Sequence, residues 1–126
     1  KRISIRFDNQ LSSPHEIPLN VQLYGWVIEN LVRNAIDATE GKGSIEVTLS
    51  EGVSTVQIEV TDTGKGISAR QSKVVFRPGY TTKTRGWGLG LSLAKRIIDE
   101  YHNGKIIVAK STVGKGTTFR ILLPKK

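Results

Sequence analysis

The chain has 126 residues without Cys or Met, and 19 Lys and Arg against 11 Asp and Glu give a formal net charge of +8. This length is enough for one domain with its own hydrophobic core. The absence of Cys excludes a disulfide framework and a thiolate metal site, and the apolar runs are too short to cross a bilayer. The positive charge predicts an anionic partner.

These features favour a domain that folds in water, and we expect it to be cytoplasmic. Because the chain begins at Lys1 and has no Met, we also expect residues 1–126 to be one domain of a longer protein, whose attachment to a membrane is left open. Eight Lys and Arg and no carboxylate lie between Asp62 and Asp99. A general basic surface for nucleic acid would explain them, but no nucleic-acid module is recognisable.

The first predicted elements are a strand and a long helix. Apolar residues alternate with polar ones over 3–7, which predicts a strand. In the polar segment that follows, Pro14 and Pro18 bracket His15. Because this extended context offers no helix to present the imidazole, we do not expect His15 to be functional.

The predicted helix runs from Asn20 to about Thr39, and Gly41 can end it. At about 100° per residue its apolar side chains form one arc, with Asn30 and Asn34 one turn apart at the edge. Asn lowers helix propensity, so two half-sheltered amides are suited to holding a polar ligand. From this stretch alone, two ordinary surface Asn residues are the alternative.

Two strands are predicted next, over 44–50 and 56–60, joined by a tight turn. Their alternation indicates one buried face, and continuing the period places Asp62 on that face. A buried carboxylate needs hydrogen-bond donors, and the amino group of an adenine is a suitable one. Gly64 and Gly66 would let a flat ligand approach the backbone closely. The alternative is an Asp that only turns the chain.

A glycine-rich turn precedes the second predicted helix. After a short apolar patch at 74–76, a loop over 77–85 carries hydroxyl and cationic side chains, and the glycines of 86–90 lead into a helix over 91–101. Such a turn offers backbone amides and the positive end of the helix dipole to phosphate. A glycine cluster alone is not specific, and this one does not match the Walker pattern.

The last part of the chain predicts two strands. His102-Asn103-Gly104 ends the preceding helix, with His102 as a cation favoured by the dipole. Residues 106–109 are apolar enough for a central strand, and apolar residues alternate over 119–123. Residues 114–118 form a tight connection between these strands.

Four features stand in order along the chain: an Asn-bearing helix, Asp-x-Gly-x-Gly at 62–66, Gly-Leu-Gly-Leu at 88–91 and Gly-x-Gly-Thr at 114–117. In this order they resemble the ATP-binding catalytic domain of bacterial sensor histidine kinases, in the superfamily shared with gyrase, MutL and the large heat-shock chaperones. The resemblance covers nearly the whole chain. It implies an α+β fold, a two-layer α/β sandwich in which helices cover one face of a mixed sheet, with a nucleotide lid.

The resemblance also implies ATP and Mg2+ as ligands and a role for each matching residue. Asn34 matches the Asn that coordinates Mg2+, with Asn30 one turn earlier, and Asp62 matches the Asp that accepts from the adenine amino group. The implied base pocket is lined by Gly64, Gly66 and Ile67, and Thr117 is the implied hydroxyl that helps to fix adenine. The implied lid contains Thr82 and Lys83, and the implied phosphate cradle consists of Gly86, Gly88, Leu89 and Gly90. Catalysis is expected to depend on Asn30, Asn34 and Lys83.

The resemblance implies transfer of the γ-phosphoryl group to a protein more than hydrolysis of ATP. Hydrolysing members have a Glu four residues before the metal-binding Asn, where it can activate water. Here that position is Asn30, and Glu29 lies about 140° round the helix from Asn34. The implied acceptor is a histidine on a separate dimerisation domain of the same protein, with a response regulator downstream and no nucleic-acid partner. An anti-sigma-type serine kinase and a non-catalytic basic or nucleotide-binding module are the alternatives.

Three positions depart from the pattern of the family. Asp37 stands where many of these kinases have Lys, and Trp87 stands where a small residue is common. Gly79 replaces one Phe of an aromatic pair, which leaves Tyr80 as the candidate anchor of the lid. These departures are compatible with a more open lid and weak nucleotide affinity.

Overall fold

A computed structural model of the protein describes residues 2–9, 21–39, 42–77, 90–101 and 103–124. Each predicted strand and helix is present. The elements are, in chain order, β1 (Arg2–Asn9), α1 (Val21–Thr39), β2 (Lys42–Glu51), β3 (Thr55–Asp62), α2 (Ala69–Ser72), α3 (Gly90–Arg96), a π-helical segment (Ile97–Tyr101), β4 (Lys105–Thr112) and β5 (Gly116–Pro124).

The strands form one five-stranded mixed sheet in the order β1-β2-β3-β5-β4. β1 is parallel to β2, and the other neighbouring pairs are antiparallel. Helix α1 packs on β2, β3 and β5, while α3 packs on α1 and β4. The predicted α+β fold, with a helix layer over one face of a mixed sheet, is therefore confirmed.

The core lies between the sheet and the helices. In β3 every second residue is buried, so Val56, Ile58 and Val60 point to the same side. In α1 the buried apolar residues recur every four positions, which makes the predicted apolar arc the face that packs on the sheet. Further members of the core are Val27, Leu31, Ala35, Ile45, Val47, Val75, Ala94, Ile97, Ile98, Ile106, Phe119, Ile121 and Leu123.

The β4–β5 hairpin differs from the prediction in two respects. β4 is an edge strand and not a central one, because β5 pairs with β3 on its other side. Its apolar residues face opposite sides: Ile106 is 2% exposed under the helices, whereas Ile107 on the outer face is 38% exposed. The connection is also shorter than predicted, since β5 already begins at Gly116 and includes Thr117.

The second predicted helix changes type along its length. It begins at Gly90, is α-helical to Arg96, and continues as a π-helix over Ile97–Tyr101. Asn103 adopts the left-handed conformation with φ of 51°, and the next N–H donates a 2.9 Å hydrogen bond back to the carbonyl oxygen of Ile98. The predicted helix end at 102–104 is therefore confirmed at its described residues.

Helix α2 is absent from the sequence-based prediction, although its start can be read from the sequence. Ser68 and Gln71 form a capping box, in which each side chain accepts from the backbone N–H of the other. Within the described ranges, no helix combines the length and apolar character needed to cross a bilayer. The predictions about Asn20, His15 and Gly41 fall outside these ranges, and so do the predicted loop over 77–85 and the glycine-rich turn over 86–90, apart from Arg77 and Gly90.

Candidate functional site

Asp62 ends β3 on the buried face of the sheet, as its alternation predicts. Only 5% of the residue is exposed, and its carboxylate accepts hydrogen bonds from the backbone N–H of Gly64, at 2.8 Å, and of Thr117. Burial raises the pKa of the Asp62 carboxyl above its ordinary value of 3.8, because desolvation outweighs the opposing effect of the two hydrogen bonds. A carboxylate can accept further hydrogen bonds, so Asp62 is suited to receive a donor from a ligand.

The loop after Asp62 is anchored to the end of α1. The backbone N–H of Lys65 donates a 3.0 Å hydrogen bond to the carbonyl oxygen of Ala38. A Cβ added to Gly64 would stand 2.3 Å from the same oxygen, so glycine is needed there for the packing of the loop on the helix. The close approach that the structure contains at Gly64 is that of the protein's own backbone, and the approach of a ligand stays a prediction.

The same loop is anchored on its other side to the β4–β5 hairpin. Gly66 has φ of 69°, and a Cβ on it would lie 2.2 Å from a backbone oxygen of that hairpin. The carbonyl oxygen of Lys65 accepts from the N–H of Gly114 at 2.7 Å, and the N–H of Ile67 donates to Ser111 Oγ at 2.8 Å. The loop is therefore held between α1 and the hairpin.

Thr117 lies directly opposite Asp62 in the β3–β5 register, and only 6% of it is exposed. Its Oγ1 lies 2.8 Å from Ser111 Oγ. The sequence prediction includes Thr117 but misses Ser111. A half-buried serine in an edge strand has no distinctive periodicity or motif, so only the pairing of β4 with β5 reveals its place in this cluster.

Asn30 and Asn34 lie on one flank of α1, and both are half-buried, as predicted. The Nδ2 atom of Asn30 is buried and has no hydrogen-bond partner among the described residues. Leaving a buried donor unpaired costs about 1–3 kcal/mol, so this flank is suited to an acceptor oxygen from a ligand. Glu29 is exposed and accepts a 2.6 Å hydrogen bond from Arg33, which confirms that it points away from this flank.

Some of the predicted site residues that are described are linked to one another. Asp62, its loop and Thr117 form one hydrogen-bonded group, and Ala38, which binds that loop, lies one turn after Asn34 in α1. Ile67 packs against the core, and Gly90 is the first residue of α3. The other predicted residues lie outside the described ranges: Thr82, Lys83, Gly86, Gly88 and Leu89.

Comparisons with known proteins extend this description to a family. A family model for "Histidine kinase-, DNA gyrase B-, and HSP90-like ATPase" matches residues 21–126. The sensor histidine kinase ZraS of Escherichia coli K12 is 44% identical over 124 residues, which are 98% of this chain and 26% of ZraS. The chain therefore spans about a quarter of the length of this relative.

Solved structures of histidine kinases have the same fold. The nucleotide-free catalytic domain of ThkA is 32% identical with a TM-score of 0.85, covering 98% of this chain and 80% of that domain. ThkA in complex with the response regulator TrrA matches with 29% identity and a TM-score of 0.81, covering 98% and 34%. Full-length ShkA in complex with AMPPNP matches with 27% identity and a TM-score of 0.79, covering 96% and 26%.

Proposed function

The chain belongs to the histidine kinase-, DNA gyrase B- and HSP90-like ATPase family, and on that premise we propose that it binds Mg-ATP and donates the γ-phosphoryl group to a histidine. The histidine would lie on a separate dimerisation domain of the same protein, and a response regulator would act downstream. The names of its relatives support a histidine as acceptor over the serine of an anti-sigma-type kinase. Because ATP is its substrate, we place the domain in the cytoplasm.

The observation that carries the proposal is the linkage of Asp62 to α1. A buried carboxylate at one end of the group offers an acceptor for the adenine amino group. The bond between Lys65 and Ala38 fixes the loop after Asp62 one turn from Asn34. The proposed acceptor for the purine, Asp62, and the proposed amide on the phosphate side, Asn34, therefore belong to two segments that this hydrogen bond joins.

The donor set fits Mg2+ held jointly by protein and phosphates. In the described part of the chain, no three His, Asp or Glu side chains cluster as a metal site. Mg2+ prefers oxygen ligands, keeps several waters and is commonly bound by one or two protein groups together with substrate phosphates. The amide oxygen of Asn34 would be the protein ligand, and the buried Nδ2 of Asn30 would donate to a phosphate oxygen or a water. When bound, Mg2+ neutralises charge on the phosphates.

The residues of the chain act mainly by positioning. Asp62 and Thr117 hold the base, Asn30 and Asn34 orient the phosphates, and Thr82, Lys83 and the glycines of 86–90 are proposed to cover them as a lid and cradle. Phosphoryl transfer needs alignment and charge neutralisation more than a protein nucleophile. The acceptor nitrogen forms a bond to the γ-phosphorus while the bond to the β–γ bridging oxygen breaks, and ADP leaves. Glu29 is paired with Arg33, which leaves it unsuited to activating water.

Calorimetric titration with a non-hydrolysable ATP analogue tests the binding. We expect binding in the presence of Mg2+, weaker binding without it, and loss of binding in Asp62→Asn, whose amide cannot replace both acceptor oxygens. Asp99→Asn is the matched control. Asp99 lies on the π-helical segment, forms an ion pair with Lys95 of α3 and has no part in the proposed site. Failure of the unmodified chain to bind the analogue would contradict the proposal.

Turnover assays test the transfer. The chain alone should release almost no phosphate, whereas addition of the histidine-bearing domain should give an acid-labile phosphohistidine on that domain. Glu29→Gln should change neither result. Rapid hydrolysis by the chain alone, abolished in Glu29→Gln, would instead identify a hydrolase.

A further inference from the structure

Trp26 is a large aromatic residue that the packing of the domain leaves partly uncovered. Its neighbour Val27 is fully buried between α1 and the sheet, whereas 39% of Trp26 is exposed. Aromatic side chains contribute most when their large apolar surface is covered, so this exposure gives up part of that stabilisation. One exposed apolar residue is common on a protein surface and by itself assigns no role. The position of Trp26 on the helix is what distinguishes it.

Trp26 stands in one row of α1 with the two amides of the proposed site. Residues four apart lie one above the other on a helix, about 6 Å apart along its axis, which places Trp26, Asn30 and Asn34 in sequence along one edge. Both Asn residues are half-buried there. The row continues at Ala38, whose carbonyl oxygen accepts from the backbone N–H of Lys65. Trp26 is therefore the end of the row that lies farthest from the loop after Asp62.

The direction of a nucleotide along this row follows from its two ends. The Ala38 end is joined to the loop after Asp62, the proposed acceptor for the base. Asn34 and then Asn30 are proposed to orient the phosphates, so the phosphates extend along the row away from the base. In-line transfer requires the acceptor on the side of the γ-phosphorus opposite the bond to ADP. Trp26 lies one turn beyond Asn30 in that direction.

We propose that Trp26 is a positioning residue that binds the histidine-bearing dimerisation domain and places the acceptor histidine beside the γ-phosphoryl group; this rests on the proposed function. The acceptor nitrogen then forms its bond to the γ-phosphorus while the bond to the β–γ bridging oxygen breaks, and ADP leaves with that electron pair. Trp26 exchanges no proton and forms no covalent bond in this step. It contributes binding and orientation of the partner.

A tryptophan on this helix has suitable properties for that role. Trp is enriched among the residues that carry most of the binding energy of protein interfaces, since it covers a large apolar area with only two rotatable side-chain bonds. Helix α1 packs on β2, β3 and β5 and also carries Asn30 and Asn34. A partner bound to Trp26 would thus be oriented by the same element that is proposed to orient the phosphates, and such alignment can account for much of a transfer rate.

The chain provides a matched control on another surface. Ile107 is 38% exposed, nearly the same fraction as Trp26, but it lies on the outer face of β4, across the sheet from α1. Ile107→Ala therefore removes exposed apolar surface without altering the row. Trp26→Phe is the conservative variant, because it keeps an aromatic ring at the position.

The experiment measures transfer from ATP, with Mg2+, to increasing concentrations of the histidine-bearing domain of the same protein, for the unmodified chain and three variants. In Trp26→Ala we expect KM for that domain to rise about tenfold or more with a smaller change in kcat, as loss of a binding contact predicts. The Kd of the non-hydrolysable ATP analogue should stay unchanged. Trp26→Phe should recover most of the loss, and Ile107→Ala should behave as the unmodified chain.

The outcomes separate the role of Trp26 from the proposed function. An unchanged KM in Trp26→Ala, or an equal rise in Ile107→Ala, would overturn this role. Loss of affinity for the ATP analogue in Trp26→Ala would overturn it too, because Trp26 would then support the nucleotide site and not the partner. An unmodified chain that binds the analogue but transfers nothing to the histidine-bearing domain would contradict both the acceptor and the role of Trp26. Failure to bind the analogue at all would overturn the proposed function itself.

Discussion

The carbonyl oxygen of Ala38, in the last turn of α1, accepts a 3.0 Å hydrogen bond from the backbone N–H of Lys65. This bond joins the helix that carries Asn30 and Asn34 to the loop that follows Asp62. The two halves of the proposed nucleotide site are therefore one packed unit, and substitutions at this junction should affect folding and binding together.

Substitution of Gly64 tests the junction itself. Gly64→Ala should destabilise the domain by about 1–3 kcal/mol, because a Cβ would stand 2.3 Å from the backbone oxygen of Ala38 and the helix or the loop must shift. Gly25→Ala is the matched control: Gly25 is exposed in α1, and nothing lies within 4 Å of its added Cβ. That variant should gain about 0.5–1 kcal/mol from helix propensity.

Urea unfolding of both variants measures these free energies. Opposite signs for the same chemical change would support the packing argument. A Gly64→Ala variant as stable as the unmodified chain would show that the loop does not need the close approach to α1.

Substitution of Asn34 tests the metal side of the site. Asn34→Ala should weaken binding of the ATP analogue by tenfold or more in the presence of Mg2+ and should remove most of the difference that Mg2+ makes, since the proposed oxygen ligand is lost. Arg33→Ala is the control, because Arg33 is its exposed neighbour and its surface ion pair with Glu29 is worth less than about 1 kcal/mol. Titrations with and without Mg2+ give the comparison. An unchanged Mg2+ effect in Asn34→Ala would exclude this ligand.

Asn30 should show a conflict between stability and binding. Its buried Nδ2 has no partner in the described structure, so Asn30→Ala removes an unpaired donor and introduces a better helix former. The nucleotide-free domain should become more stable by about 0.5–2 kcal/mol, while affinity for the ATP analogue falls. Leu31→Ala, which removes a fully buried side chain, should instead cost about 2–5 kcal/mol.

Unfolding in urea and calorimetric titration of these two variants provide the measurements. A loss of stability in Asn30→Ala without any loss of affinity would indicate an ordinary structural amide.

The raised pKa of Asp62 should make stability depend on pH. In the folded state Asp62 keeps its proton at pH values above 3.8, where the unfolded chain has already released it. The unfolded state then binds fewer protons, so the contribution of Asp62 to stability decreases as pH rises through the interval from 3.8 to the higher pKa of the folded state. Asp62→Asn lacks this contribution.

Urea unfolding of the unmodified chain and of Asp62→Asn from about pH 3 to about pH 8 measures the effect as a difference between the two proteins. The unmodified chain should lose stability relative to the variant as pH rises and then level off. Affinity for the ATP analogue should increase over the same interval, because the ionised carboxylate is the better acceptor. A constant difference in stability would show that the pKa of Asp62 is not raised.

The sequence alone allowed correct prediction of the described strands and of helices α1 and α3, but not of α2. It also predicted the burial of Asp62 and the half-sheltered positions of Asn30 and Asn34. These properties depend on local repeats of two residues in a strand and about 3.6 in a helix, so neighbouring side chains are enough to reveal them. The order of the four motifs along the chain indicated the family. The sequence could not show that β4 is an edge strand and not a central one, since both kinds of strand contain apolar residues on the face that the helices cover.

Only the tertiary structure decided which groups meet. Gly64 proved necessary because of Ala38, Gly66 because of the β4–β5 hairpin, and Ser111 joined Ile67 to Thr117. The contacts of Gly64, Gly66 and Ile67 connect residues far apart in the chain, whereas Ser111 and Thr117 meet across one hairpin. All of these contacts depend on strand order and register. Periodicity within a segment therefore determined the faces of the elements, and the pairing of distant segments determined the site built between them.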